Sequence, residues 1–178
     1  MLFGLFKKSP EKLRARELYE GVLDAARQPG LYGEGRVPDT LEGRFELVVL
    51  HTSLVIRVLQ ASDDVGHQAL SQALFDAMFD DFDAAMREMG VGDSGVGKKI
   101  RFMAEGFYGR ASAYDEALKD DDIAVLDAAI ARNIFASEAP NAASGELSAY
   151  VRASAEKLDA QGALTLAETG APDFARVA

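Results

Sequence analysis

The octet Gly92-Asp93-Ser94-Gly95-Val96-Gly97-Lys98-Lys99 has the G-x-x-x-x-G-K spacing of a phosphate-binding loop. Such a loop cradles phosphates with backbone N–H groups, and its eighth position needs a Ser or Thr hydroxyl for magnesium. Lys99 stands at that position, and Met86-Arg87-Glu88-Met89 before the octet closes a helical pattern rather than a strand. The octet is therefore read as a connector, and no nucleotide is expected. Asp76, Asp80 and Asp83 recur at i, i+4 and i+7, with Asp81 beside them. Helical di-metal centres use Glu-x-x-His pairs projecting inward, and none occurs here, so this is read as a solvated acidic face. His51 lies in the most apolar stretch with no second ligand near it in sequence. A buried, hydrogen-bonded histidine is the expectation. Glu46, His51 and Arg57 do offer a carboxylate, an imidazole and a guanidinium on one helix, and a haem- or small-ligand-binding pocket around His51 is the alternative reading. Residues five apart, as Glu46 and His51 are, share a helix face poorly. No metal and no cofactor is expected.

Composition narrows the chemistry further. The chain has 178 residues, no Cys, no Trp and 2 His. Zero Cys removes disulfides, thiolate metal sites and cysteine nucleophiles together. Lys plus Arg is 19 and Asp plus Glu is 29, so 19 − 29 gives a net charge of −10. A domain this acidic is a poor general nucleic-acid binder, and no DNA is expected. The apolar run Phe45 to Leu59 is interrupted by Glu46, His51 and Arg57. It is shorter than the roughly 20 residues that a membrane-spanning helix needs. Met1-Leu2-Phe3-Gly4-Leu5-Phe6-Lys7-Lys8 places its cations after a short apolar stretch, the reverse of a secretory signal. A cytoplasmic location is expected.

The elements that must position these residues are helical almost throughout. Ser9-Pro10-Glu11 reads as a helix start, a capping hydroxyl followed by proline at the first helical position. Leu13, Leu18, Tyr19, Val22, Leu23 and Ala26 keep largely to one face, and Pro29-Gly30 ends that helix. Asp39-Thr40-Leu41-Glu42 reads as a capping box before a buried central helix at 41–60. A third helix is expected from about Gly66 to Met89, with its stripe running from Leu70 to Met89. After a glycine-rich inter-helix loop from Gly90 to Gly97, a fourth helix runs to about Leu118. Asp120-Asp121-Asp122 opens a fifth, whose stripe is Ile123, Leu126, Ile130 and Ile134. Ser144 caps a sixth. The expected fold is all-α: one compact bundle of about six helices spanning 9–161. Residues 1–8 form an apolar and basic arm, and 162–178 a loosely ordered tail.

Two positive islands interrupt the acidic chain. Residues 1–16 hold Lys7, Lys8, Lys12, Arg14 and Arg16 against Glu11; Lys98, Lys99, Arg101 and Arg110 stand against Glu105. Contact with anionic lipid or ribosomal RNA is the functional reading of such islands. Leu2, Phe3, Leu5 and Phe6 adjoin the first, so these residues with Lys7 and Lys8 are expected to touch a membrane weakly and reversibly. Gly106 and Gly109 flank Phe107 and Tyr108 inside the fourth helix. Interior glycines cost about 1 kcal/mol each against alanine, which suggests a close helix crossing or a surface kept open for a partner.

Pro38-Asp39-Thr40-Leu41-Glu42-Gly43-Arg44-Phe45-Glu46, Leu74-Phe75-Asp76-Ala77-Met78-Phe79, Arg87-Glu88-Met89-Gly90-Val91-Gly92-Asp93, and Val96-Gly97-Lys98-Lys99 with Met103-Ala104-Glu105-Gly106-Phe107-Tyr108-Gly109-Arg110 occur in that order. Together they resemble the ubiquinol–cytochrome c chaperone family over roughly residues 9–150. The resemblance implies a helical, non-enzymatic assembly factor for the cytochrome bc1 complex, with newly made cytochrome b as client. It also implies contact with the ribosome. With a membrane protein as client and the apolar, basic arm at 1–8, a peripheral place at the cytoplasmic face of the inner membrane is expected. Tyr32, Arg44, Phe107, Tyr108 and Arg110 are the residues expected at the client surface.

Overall fold

Helices form where a capping side chain meets apolar periodicity. The computed structural model describes residues 9–120 and 122–177, and the arm expected at 1–8 lies outside them. Helix α1 spans Pro10–Ala26, α2 Leu41–Gln60, α3 Val65–Glu88, α4 Asp93–Lys119, α5 Ile123–Ile134 and α6 Ala142–Thr169. Among the described residues there is no strand; one isolated bridge pairs Tyr32 with Val37. The Ser9 hydroxyl accepts from the Lys12 N–H, Thr40 from Gly43, Asp64 from Gly66 and Asp122 from Ala124. Each satisfies a backbone donor that the first helical turn leaves free.

Helix α2 packs against each of the other five, and its residues are buried almost continuously from Leu47 to Leu59. That placement explains why it is apolar on most sides.

Two boundaries and one capping partner differ from the expectation. Helix α4 begins at Asp93, inside the octet, because Gly92 O accepts from Gly95 and Val96 N–H while buried Val96 anchors the turn. The glycine loop shrinks to Met89–Gly92, and propensity yields to packing. Helix α6 is capped by Asn141, with Ser144 returning the bond as the other half of a capping box. Asp39, read as the start of a capping box, instead takes the Arg44 guanidinium at 2.5 Å.

The tail expected to be loosely ordered is built into the fold. Gly162 (φ 74°, ψ 161°) bends α6 instead of ending it, and the helix continues to Thr169. Residues 170–177 then run back across α1. Pro172 lies where a Cβ on Gly21 would come within 2.6 Å, so only glycine at 21 admits this approach. Lys157 donates to Asp173 at 2.7 Å and Phe174 is buried. Of the expected stripes, Leu13 and Ile123 are exposed, as each sits in the first turn of its helix, beyond the reach of a neighbour.

Candidate functional site

A groove of about 470 Å³ opens between α1, α2, α3 and the start of α4. Its floor is apolar, from Leu23, Phe45, Val48, Phe82, Met86 and Met103. Leu41 and Met89 stand at its mouth, 59% and 55% exposed. Its rim mixes signs: Arg27, Arg44 and Lys99 with Glu42, Glu46 and Asp81. The volume is in the range of helix-bundle ligand sites. Methionine is flexible and polarizable, so a wall containing Met86, Met89 and Met103 adapts to irregular apolar partners. In sequence Met86 and Met89 fall in the stripe of the third helix, and Met103 falls with Ile100, Phe107 and Ala111 on one face of the fourth, so all three read as core positions. At its C-terminal end the α3 stripe, with Ala85 and Met89 exposed, faces the groove rather than a helix.

Of the five residues expected at the client surface, Tyr32 and Arg44 meet at one end of this groove. The Arg44 guanidinium lies 5.5 Å from the Tyr32 ring centroid, and the Tyr32 hydroxyl donates to Ala26 O at 2.6 Å. The other three do not form one strip. Phe107 is buried, edge-on to Phe75 at 5.2 Å, and so belongs to the core. Tyr108 is exposed and stacks on Phe75 at 5.3 Å, outside the groove lining. Arg110 is engaged inside the fold. Its Nε and Nη2 donate to the two Glu46 carboxylate oxygens at 2.7 Å each, and Nη1 donates to Gly106 O at 3.1 Å.

That geometry also explains Gly106. A Cβ there would meet Arg110 Nη1 at 2.8 Å, while one on Gly109 would meet nothing within 4 Å. Gly106 makes room for a guanidinium of its own helix, not for a helix crossing. The Glu46 side chain is only 13% exposed, and Arg110 is its charge partner. Breaking a buried pair strands the remaining charge. Arg110→Ala is expected to cost about 2 kcal/mol, reduced from the fully buried range by the partial exposure of Arg110. Arg110→Lys restores little of it, since lysine cannot bridge both oxygens. Urea melts of the two variants check this; a loss below about 0.5 kcal/mol in Arg110→Ala means the pair is structurally idle.

His51 is buried with both ring nitrogens engaged. Nδ1 donates to Leu47 O at 2.6 Å, which leaves Nε2 to accept from the Tyr150 hydroxyl at 2.8 Å. Tyr150 in turn accepts from Gln28 Nε2 at 3.1 Å, and Gln28 Oε1 accepts from the Val177 N–H at 3.0 Å. The ring is closed off by Phe174, edge-on at 5.0 Å. Burial pushes the imidazole down to about 4, against the smaller opposing effect of Leu47 O. The ligand pocket proposed around His51 is therefore corrected. Neither nitrogen is left for a ligand, Glu46 goes to Arg110, and Arg57 goes to Asp159 at 2.5 Å. Gln28 and Tyr150 were missed because their role exists only through partners far along the chain.

The acidic face is also where its residues can be solvated. Asp76 and Asp80 are exposed, Asp83 holds Arg87 at 2.5 Å, and Asp81 accepts from the Tyr19 hydroxyl at 2.9 Å. Among the described residues no helix is long and apolar enough to cross a membrane.

A sequence profile described as ubiquinol-cytochrome C chaperone matches residues 34–174. The chain is 25% identical over 166 residues to ubiquinol-cytochrome-c reductase complex assembly factor 1 of Xenopus laevis, covering 93% of this chain and 82% of that protein. The Mus musculus protein of the same description is likewise 25% identical, and the chain spans 56% of its length. The crystal structure of the Cbp3 homolog from Brucella abortus superposes with a TM-score of 0.83 at 34% identity, over 94% of this chain and 92% of that one.

Proposed function

Because the chain belongs to the ubiquinol–cytochrome c chaperone family, we propose that it binds newly made cytochrome b and assists assembly of the bc1 complex without catalysing a reaction. The observation that carries this reading is the open, methionine-lined groove with its mixed-charge rim. A chaperone for a membrane protein must cover apolar segments reversibly, and an amphipathic helix laid in an apolar groove is the economical way to do so. Tyr32 and Arg44 stand at one end of the groove to contact the polar flank of such a segment. Tyr108, exposed on another face, supplies a second contact.

Deleting the protein is expected to lower assembled bc1 complex and cytochrome b with transcript levels unchanged. Leu41→Glu with Met89→Glu in a complemented strain is expected to reproduce that defect. Both side chains are largely exposed, so the variant should fold, and glutamate suits the first turn of α2. Quantifying haem b and bc1 in membranes of both strains is the test. Normal content in the deletion strain refutes the function; normal content in the groove variant alone refutes the site.

The same reading places the protein peripherally at the cytoplasmic face of the inner membrane, through Leu2, Phe3, Leu5, Phe6, Lys7 and Lys8. Each lysine beside an anionic leaflet contributes about 1 kcal/mol. A chain starting at Ser9 is expected to float less with anionic liposomes than the full chain, and the difference should shrink in high salt. Equal flotation by the two chains removes the arm from the account.

A further inference from the structure

The second and third turns of α4 carry Lys98, Lys99 and Arg101 of the second positive island on an open face. Lys98, Lys99 and Arg101 are exposed and have no ion-pair partner among the described residues. Phe102 sits among them, 76% exposed. Its neighbour Met103 and the nearby Lys99 both line the groove, whose mouth adds exposed Leu41 and Met89. The acidic residues nearest in sequence are Asp93, already held by Arg87, and exposed Glu105 one turn on.

We infer that this face of α4 is a binding surface for an anionic lipid bilayer, with Phe102 inserted at the headgroup level and Lys98, Lys99 and Arg101 on the headgroups. Charge complementarity argues it. On a chain of net charge −10, the site unites unpaired cations with a large exposed aromatic side chain. Cations flanking an apolar wedge are what an interfacial helix needs. A nucleic acid would use the same cations and stack a base on Phe102, but the exposed Leu41 and Met89 beside them gain from an apolar phase that it does not supply. Docked this way, the groove opens at the membrane surface, where an emerging apolar segment would be met. The inference rests on the membrane-proximal reading above but not on residues 1–8.

The absence of Cys allows a direct test in the full-length chain. An environment-sensitive fluorophore is attached at Phe102→Cys, or as control at Val65→Cys. Val65 is exposed and lies a helix length from Met89, about 36 Å along α3. With vesicles of equimolar phosphatidylglycerol and phosphatidylcholine, the label at 102 should shift to the blue and the label at 65 should not. Neutral phosphatidylcholine vesicles should shift neither. Adding Lys98→Glu and Arg101→Glu should weaken the response at 102 by about 25-fold or more, from about 1 kcal/mol per cation. A label at 102 that stays in water while the chain floats overturns the inference and leaves the arm of residues 1–8 as the anchor. A shift with ribosomal RNA but not with vesicles, or no loss on charge reversal, overturns it as well.

Discussion

Phe174→Ala is expected to cost about 3–4 kcal/mol of folding stability, although residue 174 is followed by only four residues of the sequence. The ring is 6% exposed and packs edge-on against His51 at 5.0 Å. Deleting a buried phenyl group loses its transfer energy and leaves a cavity that neighbours fill only partly. Here the loss extends further, because Phe174 is the buried side chain that seats residues 171–177 on the bundle. Gln28 bonds both Ala175 O and the Val177 N–H, and Ala175 N–H donates to Ser154. If the segment lifts, buried Gln28 and Ser154 lose partners together. In a chain of this size the melting temperature should fall by about 6–16 °C. Phe174→Leu, which keeps most of the volume, should lose less than about 1.5 kcal/mol. Urea or thermal melts of the three chains decide it. Alanine within 0.5 kcal/mol of the parent would mean that the tail adds nothing to the fold.

Stability should also fall by roughly 3 kcal/mol as pH drops from 6.5 to 4, through His51 alone. The folded protein holds this imidazole down at about 4, whereas in the unfolded chain it titrates at its ordinary value of 6.5. Above 6.5 the ring is neutral in both states and the full stability is present. Between 6.5 and 4 the unfolded chain takes up a proton that the folded one refuses, so each pH unit costs about 1.4 kcal/mol. Below 4 the contribution has been lost. The groups facing His51 are Leu47 O, Tyr150 and Phe174, none of them a carboxylate that would oppose the effect. His51→Gln can still donate to Leu47 O and accept from Tyr150, yet it does not titrate. Its urea midpoint should therefore be flatter across this range than that of the parent. Parallel profiles would show that His51 is not the group responsible. Phe174→Ala should flatten the profile too, because water reaching the ring relieves the burial that lowers its pKa.

The sequence by itself determined the features that depend on neighbours within a turn or two. The Ser9, Thr40 and Asp122 caps act over two or three residues. The central place of α2 follows from a run with too little polar surface to face water. The buried state of His51 was readable for the same reason. Only the tertiary structure decided where side chains meet across the bundle. Tyr150 is 99 residues from His51, and Glu46 is 64 from Arg110. Nothing in helical periodicity distinguishes an Arg110 facing a partner from one satisfying a buried carboxylate. Gly162 misled in the same way, as did Gly95 and Gly97, which lie inside α4. Glycine's propensity weighs about 1 kcal/mol, and burying residues such as Val96, Leu166 and Phe174 beside or beyond them outweighs it. The groove is the sharpest case. Met86, Met89 and Met103 continue regular stripes in sequence, and a stripe records only that a face is apolar. Whether a helix covers that face or it stays open for another molecule depends on where the neighbouring helices end, which local physics does not set.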